Sequence, residues 1–338
     1  MNYKMINDLD DPDTTKIPGL KVRHNEIRRK GKRLLTQRGA QQIERTVTPF
    51  EEADYPFTYH ASRHEKQWLL SSINEFYEQD WIEDILKMVN GGKEATVYLC
   101  SRPATAPQHL LAAKIYRPRQ FRNLKKDHLY REGRDQLDAT GRVILDDRSL
   151  HAIKKRTAYG QELLHSSWIG HEYHTMQLLA DAGVDMPRPY ASSDNAILMD
   201  FVGDEFESAP ALNSVTLSHT EARQLFERVV FNIELMLRFN RVHADLSAYN
   251  ILYWQGGIKL IDFPQAINPD ENHNAYRIFA RDVQRTCEYF GTRGVRSDPA
   301  ILAATLWKSK GRLTEPDLDP LYLDPEKEED RRAWNRIK

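Results

Sequence analysis

Residues 242–266 read V-H-A-D-L-S-A-Y-N-I-L-Y-W-Q-G-G-I-K-L-I-D-F-P-Q-A. Asp245 and Asn250 stand five residues apart in a polar loop, and Asp262 closes the apolar run Ile258-Lys259-Leu260-Ile261, which reads as a buried strand. Residues 251–254 and 258–261 flank Gln255-Gly256-Gly257, a hairpin turn signal. Such a hairpin returns the end of its second strand to the loop before its first, so Asp245, Asn250 and Asp262 converge. Hard oxygen ligands suit Mg²⁺, which is held by one or two carboxylates together with substrate phosphates. The plainer alternative is a polar loop whose aspartates cap turns.

The elements upstream decide between the two. Residues 85–89 and 96–100 read as strands around Asn90-Gly91-Gly92-Lys93-Glu94-Ala95, a turn whose glycines let the backbone approach phosphates. Residues 110–116 form an apolar strand carrying one lysine, Lys114, and a lysine in a buried strand is costly unless paired. Residues 167–182 predict a helix, opened by Ser166 or Ser167 and stopped by Gly183, with Glu172 as the partner that orients Lys114 on the α/β-phosphates. Pro187 and Pro189 break the chain, and 196–202 is a further strand. Ser218-His219-Thr220-Glu221 is a capping box ahead of a long helix to about residue 239. Residues 276–290 and 299–307 are the last helices. This is the order of parts in a protein-kinase-like phosphotransferase: an Asp, an Asn five residues on, then a strand ending in a metal-binding Asp. The fold class expected is α+β and two-lobed, with a small β-rich N-lobe built around one key helix and a reduced, mainly helical C-lobe. Backbone groups near Met199, Phe201 and Val202 would then form the hinge that hydrogen-bonds adenine.

The 338 residues suffice for two lobes. A formal net charge of −1 gives no global basic field for DNA or membrane. Cys100 and Cys287 are the only cysteines and lie far apart, so neither a disulfide framework nor a zinc site is indicated. Cys100 reads as a small buried hydrophobe. With no membrane-length apolar run and no signal-peptide pattern, the expected location is the cytoplasm.

Four segments are expected. Residues 1–60 form an extension, with nine Lys/Arg against two Glu between 21 and 45; that arm is either solvated or a contact for a ribosomal or RNA-protein partner. Residues 61–200 form the N-lobe, with a long basic insertion at about 117–165. Residues 201–312 form the truncated C-lobe, and 313–338 an acidic tail.

Together these parts resemble the RIO family of atypical protein kinases. The family's S-T-G-K-E-A-x-V-Y loop is similar to N-G-G-K-E-A-T-V-Y at 90–98, and its K-I-Y to residues 114–116. Its insertion element Y-x-x-G is matched at 130–133, W-A-x-x-E-F at 168–173, M-E-F-I-G at 199–203 and A-P-x-L at 209–212. H-A-D-L-S-x-Y-N-I-L is matched at 243–252 and I-D-x-x-Q at 261–265. There are departures: Asn90-Gly91 stands for Ser-Thr, Phe263-Pro264 for Val-Ser, and H-P-x-A survives as His273-Asn274-Ala275. They mark a divergent, bacterial-type branch.

The resemblance implies ATP with Mg²⁺ or Mn²⁺, Asp245 as catalytic base, and Asn250 and Asp262 as metal ligands. It implies Gly91, Gly92, Lys93, Lys114, Glu172, Met199, Phe201, Val202 and Ser247 around the nucleotide. It also implies a C-lobe without activation segment or peptide platform, acting as a serine/threonine kinase or ATPase switch that phosphorylates itself or a protein substrate, Asp262 included. Two other readings stand beside it. Aminoglycoside- and choline-kinase-like enzymes share H-x-D-x4-N and I-D-F but place His where this chain has Ser247. An ATP-dependent binding module on a ribosomal or RNA-protein partner is the other.

Overall fold

In the computed structural model, an antiparallel sheet runs through the first half of the chain in the order β1-β2-β3-β5-β4. The structure describes residues 57–92, 94–103, 109–117, 136–137 and 142–312, all within one unit spanning Asp54–Lys338. Residues 1–56, most of 118–141 and the tail 313–338 lie outside the described residues, and so do Lys93 and the Y-x-x-G element at 130–133.

The strands are β1 (Asp84–Gly91), β2 (Ala95–Ser101), β3 (Leu110–Tyr116), β4 (Pro189–Ser192) and β5 (Ala196–Asp200). Side chains on a strand alternate between faces, and β3 shows what that does. Leu111, Ala113 and Ile115 join Leu69, Ile73 and Phe76 of helix α1 (Arg63–Glu78) in one apolar cluster. Ala112 and Tyr116 belong to the opposite cluster, with Trp168, Ile169 and Met176 of helix α3 (Ala158–Asp181). Lys114 shares that second face. Cys100 is fully buried in the first cluster, and burial pushes its thiol up to about 12, so it is the inert apolar residue expected.

Helix α1 opens on a full capping box: the Ser62 hydroxyl accepts from the Glu65 N–H while the Glu65 carboxylate accepts from the Ser62 N–H. At the box predicted from the sequence the Ser218 hydroxyl accepts from the Glu221 N–H, but the Glu221 carboxylate takes the Tyr253 hydroxyl instead.

Helix α3 corrects the sequence expectation. Neither Ser166 nor Ser167 caps it; the helix begins at Ala158, and Thr157 accepts from Gly160 N–H at 3.1 Å. Residues 161–164 are good helix formers with weak apolar periodicity, so they read as loop. Ser167 is buried mid-helix, where its hydroxyl accepts from the Leu137 N–H at 2.9 Å and so ties one described piece of the insertion to the helix. A short helix α2 (Asp147–Lys155) precedes the corner. Pro189 also does more than break the chain. It starts edge strand β4, where a missing N–H costs no ladder bond. Strand β5 ends at Asp200, two residues before the predicted end.

The second lobe comprises α4 (His219–Arg238), a two-stranded hairpin of β6 (Ile251–Trp254) and β7 (Gly257–Leu260), α5 (Ala275–Gly291) and α6 (Pro299–Lys308). The hairpin turn is narrower than predicted. Gln255 and Gly256 occupy it with φ of 50° and 80°, the signature of a two-residue type I′ turn, while Gly257 pairs with Trp254 inside the ladder. Leu225, Val229, Ile233 and Met236 of α4 repeat at helical spacing and are all buried in the main core. Among the described residues, no helix is long and apolar enough to cross a membrane.

The α2–α3 corner depends on one glycine. A Cβ on Gly160 would lie 2.0 Å from the Ala152 carbonyl oxygen. Helix propensity alone favours alanine over glycine by about 1 kcal/mol, but this contact is with rigid backbone. Gly160→Ala should therefore destabilise the protein by about 1–3 kcal/mol, read as a lower denaturant midpoint at unchanged slope.

Candidate active site

The stretch carrying Asp245, Asn250 and Asp262 is a loop closed at its base. Val242 N–H donates to the Ile267 carbonyl at 3.0 Å and Ile267 N–H to the Val242 carbonyl at 2.9 Å. Within it Ile261 N–H donates to the Asn250 carbonyl at 3.0 Å, which brings the Asp262 end of the hairpin to Asn250. Ala244 and Asp262 both adopt left-handed backbone, with φ of 68° and 71°. Such geometry in non-glycine residues is held only by its surroundings.

Here His243 is the internal brace. It is buried, its Nε2 lies 3.0 Å from the Ile261 carbonyl, and its Nδ1 faces the Asp245 N–H at 3.4 Å. These partners assign the Nε2–H tautomer. Burial lowers the ring's pKa against the pull of the nearby Asp262 and Asp245 carboxylates, so it is a neutral strut packed 4.7 Å from the Phe263 ring.

Between the lobes lies a cavity of about 480 Å³, within the size range of small-molecule sites. Gly92, Lys114, Glu172, Met199, Phe201, Val202, Asn250 and Asp262 line it, so most of the predicted nucleotide residues meet there. Gly91, Asp245 and Ser247 do not contribute to its described wall. Gly91 is the last residue of β1 and pairs with Thr96, whereas Gly92 turns the chain with its N–H on the Ala95 carbonyl at 2.9 Å. A Cβ on Gly92 would stand 2.9 Å from that oxygen, so the close turn requires glycine.

Lys114 is the electrostatic centre. Its Nζ lies 2.7 Å from Glu172 Oε1 and 2.8 Å from Asp262 Oδ1. Burial disfavours the ammonium, but Asp262 and Glu172 outweigh it and hold the lysine's pKa well above its usual value. Asp262 likewise stays ionised: burial raises its pKa and the adjacent lysine more than compensates. The second Glu172 oxygen accepts from the Tyr116 hydroxyl. Tyr116 was not picked out from the sequence, although its spacing of two from Lys114 puts it on the same face of β3. Glu172 is buried on the stripe that also carries Trp168 and Met176, a carboxylate at a core position.

The expected meeting of three oxygen groups holds for two of them at the cavity. Asn250 Nδ2 donates to the Asp245 carbonyl at 2.9 Å, which aims its Oδ1 away from that bond. Asp262 Oδ2 is left after Lys114 takes Oδ1. Asp245 stays beside Asn250, with Oδ2 3.4 Å from Asn250 Nδ2, but lies outside the cavity wall with Oδ1 2.9 Å from Arg285 Nη1 on α5. Among the described residues no cluster of three His, Cys, Asp or Glu side chains forms a metal cage. A carboxamide and a carboxylate on a ligand-sized cavity fit Mg²⁺ better than a transition metal, since Mg²⁺ takes few protein ligands.

Comparison with known proteins bears on this geometry directly. The family model described as RIO domain matches residues 119–301, more than half of the chain. The chain belongs to the RIO family. Similar relatives include the serine/threonine-protein kinase RIO1 of Homo sapiens, 30% identical over 210 residues, covering 62% of this chain and 34% of that protein. The serine/threonine-protein kinase RIO1 of Caenorhabditis elegans is 27% identical over 241 residues, covering 71% and 42%. The RIO-type serine/threonine-protein kinase Rio1 of Thermoplasma acidophilum is 29% identical over 132 residues, covering 39% and 68%. Over RIO1 of human and worm, the match thus spans about a third to two fifths of the relative's length. Membership supports the two-lobed α+β fold, which the sheet lobe and the helical lobe display.

Helix α5 carries the site residues that motif reading passed over. Arg281 Nη2 donates to the Ala244 carbonyl, Arg285 holds Asp245, and Asp282 is buried between them with Oδ2 lacking a hydrogen-bond partner. Their sequence signal was an acid among Ile278, Phe279 and Val283 on the apolar face. Burial raises Asp282 to about 7 despite the neighbouring Arg281. A carboxyl whose folded pKa exceeds its unfolded value of about 4 binds protons more tightly in the native state. Its contribution to stability is therefore greatest at low pH and is lost as pH rises through that window to about 7. Asp282→Asn keeps the shape and removes the charge. It should flatten stability against pH between about 4 and 7 and raise it at pH 8, measured by denaturant unfolding.

Proposed function

We propose that this chain is an ATP- and Mg²⁺-dependent RIO-type phosphotransferase, a serine/threonine kinase or ATPase switch that also labels itself. One observation carries the reading. Lys114 is clamped between Glu172 and Asp262 at 2.7 and 2.8 Å on the wall of a cavity that Asn250 also lines. That is the arrangement phosphoryl transfer requires, because catalysis there rests on positioning and on offsetting charge.

In this reading Lys114 holds the α/β-phosphates and Glu172 keeps its ammonium aimed. Asn250 Oδ1 and Asp262 Oδ2 hold the cation, whose chemistry is to neutralise charge on the phosphates. Asp245 accepts the proton of the attacking hydroxyl as a bond forms to the γ-phosphorus and the bond to the bridging oxygen breaks, releasing ADP. Val202 lines the cavity and its carbonyl is taken by the Ala209 N–H at 2.9 Å; in this reading the purine pairs with backbone groups beside it. Gly203 lets the chain turn there: its φ is 143°, and a Cβ would meet the Glu207 carbonyl at 2.4 Å. Twelve residues, 263–274, separate Asp262 from α5, a short span for an activation segment in this reading. A protein acceptor, or the chain itself, reaches Asp245 directly from that side.

Two finer parts of the reading concern context. The basic residues 21–45 support contact with a ribosomal or RNA-protein partner. The two unpaired, buried cysteines support a reducing, cytoplasmic compartment.

Purified protein incubated with γ-labelled ATP tests the assignment. Asp245→Ala and Asp262→Ala should each lower label transfer and ATP consumption by about a hundredfold or more. Lys114→Ala should mainly weaken productive ATP use. Normal ATP consumption by Asp262→Ala would sink the reading. Base-labile label would place the phosphoryl group on an aspartate, and acid-stable label on Ser or Thr.

A further inference from the structure

Helix α5 places Arg277, Arg281 and Arg285 four residues apart, hence on one face. The short connection after Asp262 sets that face against the catalytic loop. Arg281 is committed to the Ala244 carbonyl. Arg285 is committed to Asp245 Oδ1 at 2.9 Å, and the other carboxylate oxygen, Oδ2, faces Asn250 Nδ2 at 3.4 Å. Arg285 thus sits on the proposed base itself, on the exposed side from which an incoming hydroxyl arrives, and shares Asp245 with it.

The pair is well suited to exchange. Each side chain is 40% exposed, and ion pairs so open to water are weak and swap partners readily. A guanidinium matches a carboxylate through two parallel hydrogen bonds, so another carboxylate is the natural competitor for Arg285. Arg277, exposed one turn further along, continues the cationic track away from the site.

We propose that Arg285 selects the acceptor: it turns from Asp245 to an acidic side chain flanking the Ser or Thr of a protein substrate, and so frees Asp245 for the hydroxyl. This rests on the phosphotransferase reading above. It assigns the site a substrate class, acidic protein segments, and makes Arg285 a specificity-determining residue.

The test uses the full chain, γ-labelled ATP and three peptides that carry one serine flanked by glutamates, glutamines or lysines. Wild-type protein should show kcat/KM in that order, with about tenfold between the glutamate and glutamine peptides, the yield of one charge-assisted contact. Arg285→Gln should erase that ratio, Arg285→Lys should keep part of it, and Arg285→Glu should favour the lysine peptide. Thermal unfolding at an unchanged midpoint shows that these variants fold. Equal use of the glutamate and glutamine peptides by wild type, or a preference surviving in Arg285→Gln, overturns the inference. Peptide binding followed by fluorescence anisotropy reads the same ratio without turnover. A protein that consumes no ATP therefore fails the phosphotransferase reading, while the anisotropy still decides the role of Arg285.

Discussion

Everything at this site hangs on one charge in a place that disfavours it. Lys114 projects from a central strand into the interior between two lobes, where an unpaired ammonium is not tolerated. Two carboxylates from distant parts of the chain answer it: Glu172 from the long helix and Asp262 from the end of the hairpin. The ion pairs join the sheet to α3 and the sheet to the second lobe, so the lysine that a nucleotide would use also registers the lobes. Tyr116 completes the set by donating its hydroxyl to the remaining Glu172 oxygen, so that each oxygen of the buried carboxylate has a partner.

A second constraint is the closure of the stretch from Val242 to Ile267. Its two ends are bonded to each other, so the loop, hairpin and turn between them behave as one piece. The left-handed residues Ala244 and Asp262 are maintained because His243 bridges the Ile261 carbonyl and the Asp245 N–H from inside. A neutral imidazole suits this role, since it donates at one nitrogen and accepts at the other without bringing a charge into the core. The chain's departure at Phe263 fits the same logic. The Phe263 ring is buried against His243, so this position supports the brace from below.

Helix α5 contributes a third layer that catalytic motifs do not announce. Its arginines reach the loop that carries Asp245. Arg281 fixes a strained carbonyl and Arg285 holds the proposed base. Beneath them Asp282 is buried with one oxygen lacking a partner, which is why burial prevails over the neighbouring arginine.

Much of this was legible in the chain itself. The oxygen-bearing residues at 245, 250 and 262, the hairpin between the last two, the single lysine in an apolar strand and the glutamate in an apolar helix stripe all have local signatures. Period-two and period-3.6 patterns assign each to a strand or a helix and to a face. The start of α3 was not legible, because a serine in mid-helix looks like a cap until its hydroxyl is seen to bind Leu137 of the insertion. Edge strand β4 was hidden for a similar reason, since a proline excludes a central strand but not an edge. Which partner each carboxylate takes was also beyond the sequence. Asp245 meets Arg285 across forty residues, and Lys114 meets Asp262 across 148. Residue types and local periodicity are encoded over a few neighbours, so the sequence by itself determined what chemistry was present and on which elements. The long-range pairings depend on how the lobes and α5 dock, and only the tertiary structure decided them.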